Sequence, residues 1–385
     1  MTNLNKKKIL YLDNAATTPL RPEVLEVMMP YLTEQYGNPS AVYSFARDAR
    51  KAIGRAREQV ATAIGADPSE IVFTACGTES NNWVISSATR HIITSATEHH
   101  AITHVCKALG VETTYLPVNS EGFVSADDLK TAIRPDTSLI SIMWANNEIG
   151  TIQPIAELAD IAKEKKIPFH TDAVQAVGHI PIDLKNIDFL TMSAHKFGGP
   201  KGIGVLYIRK GAKLSPFIHG GAQEKNRRAG TENVAGIVGM GEAIEIAMAE
   251  IDKEYVRISG LRDTLIKRIE ETIPKVTLNG PRGDNRLPGN VNFSFDYIEG
   301  ESLLLLLDMN GCCASSGSAC SSASLEPSHV LMAIGVPHEK AHGSIRFSLG
   351  NASTNEDIDR LMEVLPKLVK QLRAMSPLAE EGENF

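Results

Sequence analysis

The middle of the chain alternates short apolar runs with amphipathic segments, and this alternation restricts the possible folds more than any other feature. Seven apolar runs are candidate strands: residues 71–74, 91–95, 113–117, 139–144, 167–171, 187–192 and 204–208. Helical patterns lie between most of them, as in "PIAELADIAKEKK" (154–166), which a proline opens and lysines close. Strands that alternate with helices predict a mainly parallel, seven-stranded α/β sheet with helices on both faces.

The alternating pattern ends near residue 260. A long helical stretch from about residue 234 to 272 leads into a region where "NVNFSF" (290–295) and "SIRFSLG" (344–350) are candidate strands. We therefore expect a large domain over residues 16–260. A smaller α+β domain would combine residues 1–15 with residues 261–385.

Polar residues follow five of the candidate strands. In an open parallel sheet, ligands bind beyond the carboxyl ends of the strands, so these residues are expected to meet at one edge. The polar residues that follow the strands are Gly77, Thr78, Glu98, His99, Asn146, Asn147, Asp172, Gln175, Ser193, His195 and Lys196. A sheet that only filled space would not need them there.

Each of these groups has an ordinary interpretation beside a functional one. Gly77-Thr78 opens a helical segment and suits phosphate, but it is also a common helix start. Asp172 suits a protonated ring nitrogen and equally suits a helix cap. His99 suits stacking on a flat ring, or a half-buried structural position with its neighbour His100 pointing elsewhere. Lys196 is either surface charge or an amine of lowered pKa that forms a Schiff base.

The combination favours the functional interpretation, because one cofactor uses all four groups. Phosphate donors, a carboxylate for a pyridinium nitrogen, a stacking histidine and a Schiff-base lysine together predict a pyridoxal phosphate site with Lys196 as its covalent anchor. The sequence contains no GxxxxGK[ST] motif and no GxGxxG that opens a helix after a strand, so nucleotide chemistry is not supported.

A family resemblance runs nearly from end to end. The chain resembles the cysteine desulfurases of the NifS/IscS type, which are fold-type I pyridoxal phosphate enzymes of the class-V aminotransferase family. The segments that carry the resemblance are "YLDNAATTP" (11–19), "YGNPSA" (36–41), "FTACGTESNN" (73–82), "TEHHA" (97–101), "NNEIGTIQP" (146–154), "HTDAVQAVG" (170–178), "SAHKFGGPKGIG" (193–204), "RRAGTEN" (227–233), "SSGSACSS" (315–322) and "IRFSLG" (345–350).

The resemblance implies how the cofactor is held. Lys196 would bind it covalently, Asp172 would pair with the pyridine nitrogen, and Gln175 would contact the ring oxygen. His99 would stack on the ring and shuttle a proton. The phosphate would be held by Gly77, Thr78, Ser193 and His195.

The resemblance also implies the substrate and the assembly. L-Cysteine would be bound by Asn38, Asn147 and Arg346, with the arginine on its carboxylate and Asn147 also near the cofactor. The protein would be a homodimer in which Thr231 reaches the phosphate in the other subunit.

The segment "GCCASSGSACSSAS" (311–324) selects the reaction. Its Gly, Ser and Ala content predicts a mobile loop, and the resemblance makes Cys320 the nucleophile that takes the substrate sulfur as a persulfide. Cys312 and Cys313 are interpreted as small buried residues, and Cys76 and Cys106 are given no role. No metal site is predicted, apart from a transient iron–sulfur contact at Cys320.

Composition limits the surroundings in which this chain works. A net charge of −7 gives no reason to expect nucleic acid or a membrane as a partner. The apolar run at 9–12 is too short for a signal peptide, so we expect a cytoplasmic protein.

The resemblance implies an iron–sulfur scaffold protein as sulfur acceptor, with tRNA thiolation left open. Two alternatives remain, namely another pyridoxal phosphate enzyme such as a selenocysteine lyase or an aminotransferase, and a scaffold that has lost its cofactor.

Overall fold

The structure is a computed structural model that describes residues 9–316 and 326–376. The strands are β1 (Leu10–Tyr11), β2 (Ile71–Thr74), β3 (His91–Ser95), β4 (Glu112–Leu116), β5 (Thr137–Ser141), β6 (Phe169–Asp172), β7 (Phe189–Ser193), β8 (Gly204–Ile208), β9 (Val276–Leu278), β10 (Asn290–Phe295), β11 (Cys312–Cys313) and β12 (Ser344–Ser348). The helices are α1 (Pro22–Thr33), α2 (Ala46–Ile64), α3 (Gly77–Ser86), α4 (His100–Leu109), α5 (Ala126–Ala132), α6 (Ile155–Glu164), α7 (Gln223–Asn226), α8 (Val234–Thr272), α9 (Gly300–Met309), α10 (His329–Ala333), α11 (His338–His342) and α12 (Asn355–Arg373).

The predicted mainly parallel sheet is confirmed. Its seven strands lie in the order β2-β8-β7-β6-β5-β3-β4, and neighbours from β7 to β4 pair in parallel. Strand β8 is antiparallel to both β2 and β7, so β2 and β7 run in the same direction. The carboxyl ends of β2, β3, β5, β6 and β7 therefore meet at one edge of the sheet.

Two hydrophobic clusters make up most of the core. The larger lies on one face of the seven-stranded sheet and includes the first half of α8, which packs against α1 and α2. The smaller contains Leu10 and Leu12 together with apolar residues between Ile258 and Val369. The predicted helix over residues 234–272 is confirmed as α8, which runs through both clusters without a break. The domain boundary at residue 260 stays a prediction, because no change in backbone structure marks it.

The chain's first described residues belong with its last third. Strand β1 pairs in parallel with β11, while β9, β10 and β12 form a separate antiparallel sheet. The amide of Asn14 donates to the carbonyl of Ser348 on β12. Residues 15 and 16 are thereby held over the carboxyl edge of the large sheet. Among the described residues, no helix has the length and apolar character needed to cross a bilayer.

Two left-handed glycines near β9 provide a matched test of this packing. Gly280 has φ +84°, and a Cβ there would lie 2.4 Å from the carbonyl oxygen of Ile149. Gly283 has φ +63°, but a Cβ there would meet nothing within 4 Å. We expect Gly283→Ala to lower the free energy of unfolding by about 1 kcal/mol through backbone strain alone. Gly280→Ala should lower it by a further ~2 kcal/mol or more, because the Ile149 backbone must move. Denaturant unfolding of both variants checks this, and equal losses would contradict the packing described.

Candidate active site

A cavity of about 290 Å³ lies at the carboxyl edge of the large sheet. Ten of the residues predicted from sequence line it: Gly77, Thr78, His99, Asn147, Asp172, Gln175, Ser193, His195, Lys196 and Arg346. Each of the first nine ends or follows a strand whose carboxyl end lies at this edge, whereas Arg346 lies on β12 of the smaller sheet. The cavity therefore lies between the two units of the protein, the one built on the large sheet and the one built on the smaller sheet.

One end of the cavity is suited to an anion. Helix α3 begins at Gly77, so its first backbone N–H groups and its positive end face this region. A Cβ at residue 77 would lie 2.8 Å from Val174 Cγ2, so only glycine fits there. Ser193 Oγ is buried and has no hydrogen-bond partner among residues 9–316 and 326–376. A buried hydroxyl of this kind is costly unless something binds it.

Asp172 is a buried carboxylate at the end of β6. Its Oδ2 accepts a hydrogen bond from Asn81 Nδ2 (2.6 Å), and its Oδ1 accepts one from the amide of Val174 (3.0 Å). Asn81 Oδ1 is also buried and has no partner within the described part of the chain. The pair thus presents a fixed negative charge and an acceptor at the cavity.

Lys196 lies in a short 3₁₀ turn that follows β7. Its Nζ donates hydrogen bonds to the carbonyl oxygens of Ala15 and Ala16, both at 2.7 Å. Gln175 Nε2 donates to the same Ala15 carbonyl at 2.9 Å. The N-terminal segment therefore fixes both side chains at the cavity wall.

The two predicted histidines beside this lysine are held neutral. His195 Nδ1 lies 3.1 Å from Thr17 Oγ1, and burial, assisted by the Lys196 charge, lowers the pKa of His195 to about 4. His99 is the N-cap of α4, and its Nδ1 accepts from the amide of Ala101 at 3.0 Å. Burial lowers the pKa of His99, the Lys196 charge lowers it further, and Asp172 opposes both effects. A neutral His99 ring is consistent with stacking on a planar ligand.

Arg346 is almost fully buried where the two units meet. Its Nη2 donates to Asp13 Oδ1 (2.8 Å), and its Nη1 donates to the carbonyl oxygen of Asn147 (2.9 Å). These contacts fix the plane of the guanidinium at the cavity. Backbone hydrogen bonds also join Arg346 to Ser315.

The chain on the far side of residues 317–325 is also anchored at the cavity. Ser328 Oγ donates to Glu148 Oε2 at 2.5 Å, and His329 Nε2 bonds to the Glu98 carbonyl oxygen at 2.9 Å. Both Glu148 and His329 line the cavity. Cys320 itself, with the central part of the predicted loop 311–324, lies outside the described residues.

Two predicted site residues are not in this cavity. The side chain of Asn38 is exposed, and its Oδ1 accepts from the amide of Ser40 at 2.9 Å. Thr231 lines a different pocket of about 180 Å³, which Glu224 and Arg228 also line. Within the described chain, no group of three or more His, Cys, Asp or Glu side chains is placed to hold a metal ion.

Several cavity residues were not singled out from the sequence. Asn81, Cys76, Glu148 and His329 line the cavity, and the prediction that His100 points elsewhere is wrong, since it lines the cavity too. His100 is the first residue of α4, directly after the N-cap His99, so both rings lie at the same helix end. The predicted start of this helix was therefore enough to place His100 near the cavity. The contact of His329 depends on tertiary packing and has no local signal.

Glu98 lies behind the cavity wall, and only one of its two carboxyl oxygens has hydrogen-bond partners in the described residues. Its Oε1 accepts from the amide of Met143 (2.7 Å) and from Ser95 Oγ (3.1 Å), while Oε2 has no partner in the described segments. Burial raises the pKa of Glu98 to about 8, and the Asp172 charge acts in the same direction. Glu98 is therefore largely protonated at neutral pH.

Comparison with known proteins gives a consistent picture. The family model described as aminotransferase class-V matches residues 10–361. The chain is 59% identical to the cysteine desulfurase IscS of Dictyoglomus turgidum, over 97% of this chain and 98% of that protein. It is 58% identical to the cysteine desulfurase IscS of Methanosarcina thermophila, over 97% and 95% of the two chains. The solved structure of a NifS-like protein is similar with a TM-score of 0.89 and 39% identity, over 94% of this chain and 100% of that one.

The raised pKa of Glu98 predicts a specific dependence of stability on pH. Between pH 4.5, its ordinary pKa, and pH 8, the folded protein keeps a proton that the unfolded chain has lost. Stability due to Glu98 therefore falls as pH rises through this window. Glu98→Gln removes this loss, so the variant should gain stability relative to the wild type between pH 5 and pH 8. Denaturant unfolding measures the gain, and the exposed Glu121→Gln should follow the wild type. A constant difference between Glu98→Gln and wild type would contradict the assignment.

Proposed function

This chain belongs to the class-V aminotransferase family, and we propose that it is an L-cysteine desulfurase that uses pyridoxal phosphate. It takes the sulfur of L-cysteine, releases L-alanine and holds the sulfur as a persulfide on Cys320. One observation carries the proposal: Lys196, Asp172 and His99 line a single cavity into which Arg346 also reaches from the smaller sheet.

The cavity residues fit pyridoxal phosphate. The buried Ser193 Oγ and Asn81 Oδ1 each lack a partner in the residues described, which costs about 1–3 kcal/mol apiece unless a bound group supplies one. The N-terminus of α3 at Gly77 and Thr78 suits a phosphate, with Ser193 and His195 beside it. Asp172 suits a protonated ring nitrogen, and Gln175 suits the ring oxygen. The Lys196 amine suits covalent attachment.

The residues around the cofactor then have distinct tasks. When bound, pyridoxal phosphate withdraws electrons from the bonds at the Cα atom of an attached amino acid. Lys196 Nζ would take and return the proton at Cα of the substrate. Asp172 keeps the ring nitrogen protonated, because its buried charge favours a cation beside it. His99 packs against the ring and moves a proton from its Nε2, since Nδ1 is occupied by the Ala101 amide.

Arg346 binds the substrate. Its fork fits a carboxylate through paired hydrogen bonds, and its contacts with Asp13 and the Asn147 carbonyl hold it in place. Asn147 lies beside it on the cavity wall. We propose that Asn38 is a further substrate contact that forms only in the homodimer, because its side chain is exposed in the single chain.

The sulfur transfer step balances with one thiol on the enzyme. L-Cysteine and the Cys320 thiol give L-alanine and a Cys320 persulfide: the substrate C–S bond breaks, an S–S bond forms, and Cβ gains a proton. The oxidation at sulfur equals the reduction at Cβ, so no other oxidant is needed. The bridge from Ser315 to Arg346 and the Ser328–Glu148 bond anchor both flanks of this segment at the cavity, which supports Cys320 as the acceptor.

A homodimer completes this proposal. Thr231 lines a pocket other than the cavity of its own chain, and it follows a strained segment. Glu224, Lys225 and Asn226 all have positive φ (47°, 58° and 64°), and Arg57 holds Glu224 through two hydrogen bonds of 2.6 and 2.9 Å. Three consecutive left-handed residues persist only where contacts impose them. This supports a fixed presentation of Thr231 to the phosphate in a second copy.

Apolar side chains support the same assembly. Several large apolar residues on α1 and in the segment after it are exposed: Leu25, Met29, Leu32, Tyr36, Val42, Tyr43 and Phe45. A patch of this kind is typical of a surface that a partner covers.

We further propose an iron–sulfur scaffold protein in the cytoplasm as the acceptor of the sulfur, with Cys320 as the point of transient contact with a cluster.

Lys196→Ala should abolish covalent attachment of the cofactor. The matched control is Lys201→Ala, because Lys201 is exposed and lies on the same loop. We expect the Lys196 variant to lose the absorbance of the bound cofactor after gel filtration and to lose at least ~10³-fold in alanine formation. Lys201→Ala should retain both. A Lys196 variant to which borohydride reduction still fixes the cofactor covalently would contradict the assignment.

Cys320→Ser should separate this function from the alternatives. Alanine and protein-bound persulfide are measured together with L-cysteine as substrate. The Ser variant should form no persulfide at residue 320 and should lose ~10²-fold or more in alanine formation, because a hydroxyl does not attack sulfur. Cys313→Ser, on the partly buried neighbour, should behave as wild type. Full activity in the Cys320 variant would favour another pyridoxal phosphate enzyme.

A further inference from the structure

Helix α3 places two groups at the cavity, one helical turn apart. Gly77 begins the helix at the end suited to a phosphate, and Asn81 follows four residues later and also lines the cavity. Residues with this spacing share one face of a helix and lie about 6 Å apart along its axis. The helix therefore carries both the predicted phosphate donors and a side chain that reaches Asp172.

Both ends of this helical turn contact the chain at the end of β6. A Cβ at residue 77 would lie 2.8 Å from Val174 Cγ2, so the start of the helix packs directly on Val174. Asn81 Nδ2 donates to Asp172 Oδ2 (2.6 Å), and the Val174 amide donates to Asp172 Oδ1 (3.0 Å). Each oxygen of the carboxylate thus has its own donor, and the two donors together restrict rotation of the Asp172 side chain.

The Asp172 carboxylate determines how the Asn81 amide is oriented. Asn81 is 2% exposed, and its Oδ1 has no hydrogen-bond partner among the residues that the structure describes. A buried amide oxygen without a partner costs free energy. The opposite orientation would turn this oxygen toward the carboxylate, where two acceptors would face each other. The amide therefore keeps its donor on Asp172 although its oxygen has no partner there.

Other contacts hold helix α3 in place. Trp83 Nε1 donates to the carbonyl oxygen of Ser215 at 2.6 Å, and the Trp83 ring belongs to a buried apolar cluster. Asn82 Nδ2 donates to the carbonyl oxygen of Ala101 on α4 at 3.1 Å. Because these contacts attach the helix independently of Asn81, a purely structural role does not account for the Asn81 side chain.

We propose that Asn81 is a positioning residue that aligns the Asp172 carboxylate with the ring nitrogen of the cofactor. This inference rests on the proposed function, because it takes pyridoxal phosphate as the ligand. The same helix offers the phosphate donors at Gly77 and Thr78, so α3 fixes the spacing between the phosphate end and the ring-nitrogen end of the site. Asn81 acts through Asp172 and is not a catalytic residue.

The test compares two ligands that differ only at the ring nitrogen. One is pyridoxal phosphate, and the other is the analogue that has a C–H group in place of the ring nitrogen and keeps the aldehyde and the phosphate. Full-length protein is freed of cofactor and titrated with each ligand, and absorbance gives the dissociation constant. The matched control is Asn82→Ala, because Asn82 is the next residue of α3 and does not line the cavity.

We expect Asn81→Ala to weaken binding of pyridoxal phosphate about tenfold, because the carboxylate that meets the ring nitrogen loses a fixed donor. Binding of the carbon analogue should weaken by less than about twofold, since that ligand has no ring N–H for Asp172 to meet. Asn81→Leu, which keeps the size of the side chain but has no donor, should repeat both results. Asn82→Ala should change the two affinities equally.

The comparison separates positioning from a general effect on the site. Equal weakening of the two ligands in Asn81→Ala and Asn81→Leu would overturn the proposal, because a distorted cavity affects both ligands alike. Unchanged affinity for both ligands would overturn it as well. If the wild type binds neither ligand, the proposed function fails instead, so the two failures are distinguishable.

Discussion

The antiparallel strand β8 is the constraint on which the site depends. Because it pairs antiparallel with both β2 and β7, β2 runs in the same direction as β7, which is itself parallel to β6, β5 and β3. Five carboxyl ends therefore lie along one edge, and the polar residues that follow them must be satisfied together. Ser193 Oγ and Asn81 Oδ1 at that edge have no hydrogen-bond partner among residues 9–316 and 326–376.

The N-terminal segment connects this edge to the smaller unit. Strand β1 pairs with β11, and the carbonyls of Ala15 and Ala16 accept hydrogen bonds from Lys196. Arg346 is held by Asp13 of the same segment and by the Asn147 carbonyl of the larger unit. The lysine and the arginine are thus positioned by one short piece of chain. This arrangement fixes the distance between the Lys196 end and the Arg346 end of the cavity.

Sequence patterns predicted what depends on local order along the chain. Asp172 ends a strand, and Lys196 and His99 follow within a few residues of one, so the strand pattern placed them at the shared edge, and the structure brings them to one cavity. The mainly parallel sheet and the long helix α8 were predicted for the same reason.

Contacts across the chain could not be predicted in this way. Asn81 reaches Asp172, and Glu148 reaches Ser328, only after helices and strands distant in sequence have packed. The reversal of β8 carries no local signal either, because an apolar run has no direction. The role of Cys320 rests on family resemblance and stays a prediction.

The unbroken course of α8 has a mechanical consequence. A helix of 39 residues is about 58 Å long, and it supplies side chains to both hydrophobic clusters. Hinge motions need a few residues that absorb large changes of φ and ψ, and the interior of a hydrogen-bonded helix supplies none. The two clusters are therefore expected to move as one rigid body rather than to close over the cavity by a hinge motion. Entry and exit of small molecules must be controlled by short segments at the rim, while the scaffold beneath them stays stiff.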